Sequence, residues 1–378
     1  MNINYSENTK VGIERCDSYY LEELVPSLKN AAKAAGIPEV SGKTVLLKPN
    51  ILMDAVPEKA VTTHPAFLDA VIQLVWEWGA SRILVGDSPG LQGPNFTPRN
   101  SGLMDIIDEN EVEWIDFTKG KMEIHYPKAK THRRFTVSNI IEEIDLLINI
   151  PKFKTHQLMY YTGALKNMFG LVPSIAKSPF HARYPKREAF ASMIVDLNLA
   201  INKSVYAFMD AVIGMEGQGP GSGTPREVGA VLASSNFLAM DVAACIIMGY
   251  PPDRIPTNSE ALERRFWMED FSEIEYPLFQ PDELKIPDFE KIHFKKSGSQ
   301  LVDFILPKPI KKLRDSLNPI PTINRQLCIL CGDCIKICAS EAMSYTGEAR
   351  QKKVEIDPPR CIRCYCCHEI CPAKAIDV

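Results

Sequence analysis

Eight cysteines near the C-terminus fall in two runs of identical spacing, Cys328, Cys331, Cys334, Cys338 and Cys361, Cys364, Cys367, Cys371. Each run reads C-x2-C-x2-C-x3-C, and Pro372 follows the second. Three thiolates at i, i+3 and i+6 can wrap one [4Fe-4S] cube from a tight loop, while the fourth points away and ligates a second cube. The spacing therefore assigns Cys328, Cys331, Cys334 and Cys371 to one cluster, and Cys361, Cys364, Cys367 and Cys338 to the other. Zinc also uses C-x2-C pairs, but a zinc ion has no use for a doubled triplet with a crossed fourth cysteine. Two neighbouring cubes form a one-electron relay, so the chain handles electrons.

The runs lie inside an internal repeat offset by 33 residues: Cys328-Ile329-Leu330-Cys331 matches Cys361-Ile362-Arg363-Cys364, and Ile337-Cys338 matches Ile370-Cys371. Such self-similarity marks duplicated units that share one core. Residues 320–378 resemble the bacterial two-cluster ferredoxins, departing from them at Ala339, where those proteins carry Pro, and at the extra Cys366. Cys366 reads as a thiol outside the ligand set, with alternative ligation as the competing reading.

Composition narrows the rest. With 378 residues, 45% hydrophobic, 24% charged and a net charge of −4, the chain has room for two domains and a core of ordinary size. Nothing in that balance suggests nucleic acid. No apolar run approaches the ~18 residues of a membrane helix, and the first residues lack the charged and apolar regions of a signal peptide. Iron–sulfur spacing in place of a disulfide pattern points to a reducing cytoplasm, that of an anaerobe. Cys16 and Cys245 stand alone and read as small buried hydrophobes.

Residues 1–280 alternate strand-like and helix-like signals. Short apolar runs occur at Thr44–Lys48, Arg82–Asp87, Leu146–Ile150, Tyr206–Asp210 and Ala230–Ala233. Helical spacing marks His64–Gly79 and Met240–Met248. Continuous apolar strands separated by helices predict an α/β body, a mainly parallel sheet covered on both faces. Lys121–His125 and Phe135–Val137 are expected to add an antiparallel edge. Residues 281–321 are rich in proline, and Lys291–Arg314 holds seven basic residues against one acid. That texture predicts a connector to the small α+β module at 322–378. Its segment Leu301–Leu306 reads as a docking patch on the body, and its basic run as a solvated tether or a contact for an acidic redox partner or a membrane surface.

In open parallel sheets ligands bind beyond the carboxyl ends of the strands, and here nearly every strand ends in polar groups. The first delivers Lys48 and Asn50, the second Asp87 and Ser88, the fourth Asp210 and Glu216. The third leads into Lys152, Lys154 and His156, which alternation sets on one face of an extended chain. Lys166, Asn167, Lys177 and His181 follow within about 30 residues. Such a cluster suits an anionic small molecule, held by charge-assisted hydrogen bonds, and it can shift the pKa of its own lysines and histidines. On this reading Lys48, Asn50, Asp87, Lys152, Lys154 and Asn167 bind substrate, while His156, His181, Lys166 and Asp210 act in catalysis, a histidine giving the proton. All are expected in one cleft, with one cube facing it and the other facing solvent. The glycine-rich stretch Gly214–Gly223 fits neither nucleotide pattern, and reads as a flexible lid or a close backbone approach.

Taken in order, Leu47-Lys48-Pro49-Asn50, Thr63-His64-Pro65, Gly86-Asp87-Ser88-Pro89-Gly90, Pro151–His156, Gly163–Gly170, and Asp210 with Met215-Glu216-Gly217 resemble the DUF362 family over about residues 8–280. Members often carry a ferredoxin module, and the resemblance implies no established reaction. A more distant similarity, to the lactate racemase fold, implies an α/β body with a polar cleft; that enzyme's nickel cofactor has no matching attachment residues here. Three functions are compatible with these features: a ferredoxin-linked redox enzyme served by a redox partner protein or reductase, a non-catalytic electron carrier, and a maturation factor for which the clusters are cargo.

Overall fold

The computed structural model describes residues 8–90, 95–293, 319–348 and 351–378. The body begins with β1 (Gly12–Arg15), α1 (Leu21–Ala35), β2 (Thr44–Pro49), α2 (Pro65–Glu77), β3 (Arg82–Asp87), α3 (Leu103–Glu109) and β4 (Glu113–Asp116). A hairpin follows, β5 (Lys121–His125) and β6 (Arg134–Ser138), then α4 (Ile140–Glu143), β7 (Leu146–Ile150), β8 (Lys152–His156), β9 (Tyr160–Thr162) and α5 (Ala164–Asn167). It closes with α6 (Ser174–Arg183), α7 (Arg187–Ala200), β10 (Ser204–Glu216), β11 (Thr224–Ser234), α8 (Phe237–Met248) and α9 (Pro256–Arg264).

Nine strands form one sheet, in the order β1-β11-β10-β7-β2-β3-β4 with β8 and β9 beside the second half of β10. From β4 to β10 the strands run parallel, β11 returns antiparallel to β10, and β1 is antiparallel to β11. The strands are apolar on both sides because both faces are covered. Val45, Leu47, Val85, Ile148 and Phe208 pack with α1 and α2, whereas Leu46, Leu84, Leu147 and Met209 pack with α7 and α8. Helix α2 starts where the sequence marks it: Pro65 fills a position that has no backbone hydrogen bond to lose, and His64 Nδ1 accepts from Ala66 N at 3.2 Å. The fold class read from the sequence is the one observed.

Two local expectations differ. The hairpin β5–β6 is a sheet of its own rather than an edge of the main one. Its turn is fastened to the helical layer, where buried Asp196 of α7 accepts from Lys130 N, Thr131 N and His132 N at 2.7–3.0 Å and pairs with Arg264 at 3.0 Å. The connector also starts later than residue 281. Leu284 and Phe289 join the core, Ile286 N donates to Ile247 O at 2.9 Å, and Ile292 N donates to Tyr250 Oη at 2.7 Å. Most of the basic run, with Leu301–Leu306, lies outside the described residues.

The C-terminal module consists of β12 (Thr322–Ile323), α10 (Asp333–Ile337), β13 (Met343–Thr346), β14 (Lys353–Ile356), α11 (Cys366–Ile370) and β15 (Ile376–Asp377). β12 pairs with β15 and β13 with β14, both antiparallel. The module sits against the sheet edge where the parallel strands end. Ser178 Oγ donates to Ile337 O at 3.0 Å, Lys374 Nζ to Gly223 O at 3.4 Å, and His368 Nε2 lies 3.2 Å from Gln218 O. The glycine-rich stretch supplies that contact and is not a free lid. Gly214–Glu216 complete β10, and the loop beyond is pinned as Thr155 Oγ1 donates to Gly217 O at 2.9 Å and accepts from Gly219 N at 3.3 Å. Among the described residues no helix is long and apolar enough to cross a membrane.

Asp196→Ala leaves three part-buried backbone N–H groups without their acceptor and takes one partner from Arg264, which keeps Glu260 at 2.8 Å, at a cost of about 2–3 kcal/mol. Urea unfolding followed by far-ultraviolet circular dichroism should show it, and a loss below about 1 kcal/mol would contradict the clamp.

Candidate functional site

The floor of the site is an ion pair. Lys48 Nζ stands 2.9 Å from Asp87 Oδ1, the two side chains 0% and 3% exposed. Asp87 also accepts from Ile51 N and Ser88 N, both at 2.8 Å. Burial pushes the Lys48 pKa down while Asp87 opposes the shift. Gly170 lies against this pair, so close that a Cβ there would overlap the ammonium and the carboxylate. A chain of amides runs beside it: Asn50 Nδ2 to Asn167 Oδ1 at 2.7 Å, Asn167 Nδ2 to Asn149 Oδ1 at 2.7 Å, and Asn149 Nδ2 to Ala164 O at 2.8 Å. Gly163 serves the same turn, since a Cβ there would overlap Tyr161 Oη and Asp241 Oδ1. The Gly163–Gly170 motif is thus a backbone folded tightly around buried polar groups.

Above this floor lies a cavity of about 110 Å³. Its cationic wall is Lys154, Lys166 and Lys177; His156 and His181 stand beside them, and Asn50, Asp87, Ser88 and Asn167 close the floor. Burial, with Lys166 and Lys152 nearby, lowers the Lys154 pKa from 10.5 to about 7. Burial brings Lys177 to about 7 as well, Asp87 opposing. Lys154 Nζ donates to Val61 O at 2.6 Å and Lys177 Nζ to Ser88 O, so each ammonium keeps donors for a ligand. Asn50 Oδ1, Ser88 Oγ and His181 Nδ1 are buried without a hydrogen-bond partner among the described residues, which leaves them free to meet water or a ligand in the cavity.

The proton assignment changes. Burial, aided by Lys166, holds His156 well below its ordinary pKa and His181 at about 3. Both rings are neutral at pH 7 and neither carries a proton to give as an imidazolium. His156 Nδ1 accepts from Leu158 N and Met159 N at 3.2 and 3.4 Å, so its one N–H is at Nε2, 3.3 Å from Glu369 Oε1. Lys154, Lys177 and Glu369, whose carboxyl burial raises to about 7 against the pull of Lys166 and Lys154, are the cavity groups that titrate near neutrality.

Two further residues leave the cleft. Lys152 Nζ pairs with Asp210 Oδ2 at 2.7 Å and reaches Tyr19 Oη at 2.9 Å, while Tyr19 donates to Asp210 Oδ1 at 2.8 Å and stacks on His64 at 3.6 Å. None of these four residues lines the cavity. The cause is a slipped register: between the pairs Asp210–Lys152 and Met215–Lys154, β10 advances five residues and β8 only two. Simple alternation along β8 therefore fails, and Lys152 and Lys154 serve different clusters. Lys48 is one layer beneath the lining. Lys154, His156, Lys166, Asn50, Asp87, Asn167 and His181 meet in one place despite their separation in sequence.

The remaining wall comes from the module: Ile337, Cys366, Glu369 and Ile370. Sequence reading overlooked Glu369 and the position of Cys366. The internal repeat held the signal, since Glu369 replaces Lys336 and Cys366 replaces Asp333 at equivalent places.

The cysteines form two groups. Cys328, Cys331, Cys334 and Cys371 surround one small pocket, walled by Ile323, Val354 and Ile376. Cys338, Cys361, Cys364 and Cys367 surround another, walled by Met343, Ile356 and Ile362, with Cys366 as a fifth thiol on its lining. Backbone N–H groups already point at sulfur, from Ala342 to Cys338 at 3.2 Å and from Ala375 to Cys371 at 3.3 Å. Among the described residues no three His, Cys, Asp or Glu groups close on a single ion; each cysteine set instead lines a pocket. Four thiols, an apolar wall and N–H···S bonds are what a cubane needs.

An α/β body joined to such a module defines an iron–sulfur electron-transfer protein. Residues 45–246 match the profile described as domain of unknown function DUF362, and residues 327–375 match a 4Fe-4S dicluster domain. The chain belongs to the DUF362 family and carries two [4Fe-4S] clusters. It is 30% identical over 284 residues to thylakoid-associated protein sll1697 of Synechocystis sp., covering 74% of this chain and 87% of that one. Among solved structures, a Thermotoga maritima protein aligns at 14% identity and TM-score 0.42, over 62% of this chain and 60% of its own. The lactate racemase apoprotein of Thermoanaerobacterium thermosaccharolyticum aligns at 11% identity and TM-score 0.40, over 66% and 58%. The chain thus spans about three fifths of each of those structures.

Two outcomes are expected. Cys338→Ser should damage the cube built mainly from the second run, lowering iron from about eight toward four per chain, whereas Cys366→Ser should keep about eight. Elemental analysis with electron paramagnetic resonance of the reduced protein distinguishes them, and loss of the first-run cube in Cys338→Ser would contradict the crossing. Lys154 and Lys177 are charged below about 7 and neutral above it, so anion binding should weaken as pH rises through that value. A bound anion favours the charged form, so proton uptake should accompany sulfate binding near neutrality. Calorimetry in buffers of different ionisation enthalpy measures it, with Lys154→Met lowering the uptake.

Proposed function

We propose that this protein is a ferredoxin-linked oxidoreductase that reduces a small anionic substrate in the cavity between the sheet edge and the module. One observation carries the reading: Lys154 and Lys166 of the body share a cavity wall with α11, which bears Cys367 and ends against Cys371. The clusters supply low-potential electrons one at a time. Lys154, Lys166 and Lys177 hold the anion, and Lys154 is charged near neutral pH with a pKa low enough to release its proton to a substrate that gains electrons. Ile51, Leu52, Phe169, Ile337 and Ile370 keep the site poor in water, which strengthens each charge interaction. The unpartnered Asn50 Oδ1 and Ser88 Oγ orient the polar end of the bound molecule. Joining relay and site in one chain keeps their effective concentration high. The working compartment is the cytoplasm; vesicle flotation tests whether the chain shares the membrane association named in its Synechocystis relative's description.

Reconstituted protein, reduced with dithionite under anaerobic conditions, should be reoxidised by one class of small carboxylate or phosphate compound. Lys166→Met should raise KM more than it lowers kcat, and Cys364→Ala should abolish turnover. Turnover that survives in both Cys331→Ala and Cys364→Ala would remove electron coupling, and reoxidation by no compound in either class favours the carrier role.

A further inference from the structure

The two halves of the module are duplicates in sequence but not in what surrounds them. Around the second run the repeat-specific residues are turned inward: Tyr365 is 2% exposed, Cys366 7% and His368 1%. Cys366 and Glu369 line the cavity, and His368 reaches Gln218 O. Around the first run the pattern reverses. Leu327, Ile329 and Leu330 are 49%, 65% and 37% exposed, and Tyr345, which donates to Leu330 O at 2.8 Å, is 39% exposed. At the equivalent places the second run carries Arg360, Ile362 and Arg363. Cys331 of the first run is itself exposed.

An apolar centre of this kind on a protein surface marks a place for a partner. Its border is charged: Arg325, Lys336, Lys352 and Lys353 stand against Asp333 and Glu355. Among these six the excess is positive, four basic against two acidic, although the whole chain carries −4. An apolar centre with a polar border is the anatomy of a specific but reversible interface, and opposite charge raises the rate of encounter.

We propose that the face formed by Leu327, Ile329, Leu330 and Tyr345 docks an acidic one-electron carrier protein, so that electrons enter at the cluster of Cys328, Cys331, Cys334 and Cys371. They leave toward the cavity from the cluster of Cys361, Cys364, Cys367 and Cys338. The carrier gives up one electron per encounter and the cluster gains it; no bond forms or breaks. The direction rests on the reductive reading of the cavity, whereas docking does not, and the test measures carrier oxidation without any cavity substrate.

The probe is a purified acidic two-cluster ferredoxin, reduced beforehand and mixed anaerobically with the reconstituted full-length protein in a stopped-flow instrument. Wild type should oxidise it rapidly, and more slowly as salt rises. Leu327→Asp, which changes the face without touching the lining of the cluster pocket, should slow the protein-to-protein step at least about ten-fold, with iron content and reduction by dithionite unchanged. Arg360→Asp, at the matching place beside the other cluster, should leave the rate within about two-fold of wild type. Equal rates in Leu327→Asp and wild type, a larger loss in Arg360→Asp, or no carrier oxidation by wild type would each overturn the proposal. Sedimentation showing that Leu327→Asp dissolves a dimer of this chain would overturn it too, by giving the face to a second copy.

Discussion

Everything at the sheet edge depends on keeping positive charge out of water. Lys48, Lys152 and Lys154 are among the largest fully buried side chains of the protein. Two of the three are neutralised within the fold, Lys48 by Asp87 and Lys152 by Asp210. Removing a buried ion from water costs several kcal/mol, recovered only with good geometry and further hydrogen bonds. Lys154 has no carboxylate at salt-bridge distance, only a carbonyl, and its low pKa is the trace of that deficit. The paired lysines therefore act as a rigid base, and the unpaired one is left to respond to whatever enters the cavity. Perturbed groups that serve no structural pair are those to connect with function.

The module shows the same division of labour on a larger scale. Duplication supplies two near-identical cluster loops, and only a few substitutions distinguish them. Where the second loop meets the body, a histidine and a glutamate replace Ile335 and Lys336 and find partners in Gln218 and His156. Where the first loop meets solvent, leucines replace the arginines of its twin. Differences between repeats thus carry more positional information than the shared cysteines do.

Much of this was legible in the sequence, for reasons that can be stated. The parallel sheet followed from continuous apolar runs, and the cluster sets from cysteine spacing, because both patterns are local and periodic. The gathering of Lys154, Lys166 and His181 followed from the rule that strands deliver ligands at their carboxyl ends. Three things were not legible. The slip between β8 and β10 sent Lys152 to a different cluster from Lys154, and a register shift leaves no mark in composition. The neutral state of His156 depends on burial beside Lys166, and its tautomer on two backbone N–H groups that the fold aims at Nδ1. Phe289 and Leu284 looked like connector because prolines surround them, yet both join the core, Phe289 edge-on to Phe153 of β8.

A cavity walled by two separately folded parts has a thermodynamic consequence. Whatever binds there touches Lys154 and Lys166 on one side and α11 on the other, so it favours the docked arrangement over any other. By reciprocity, docking tightens binding by the same factor. Occupancy then becomes a property of the assembled molecule rather than of the body alone. A chain whose module has come away from the sheet edge loses one wall of the cavity and the nearby cluster at once.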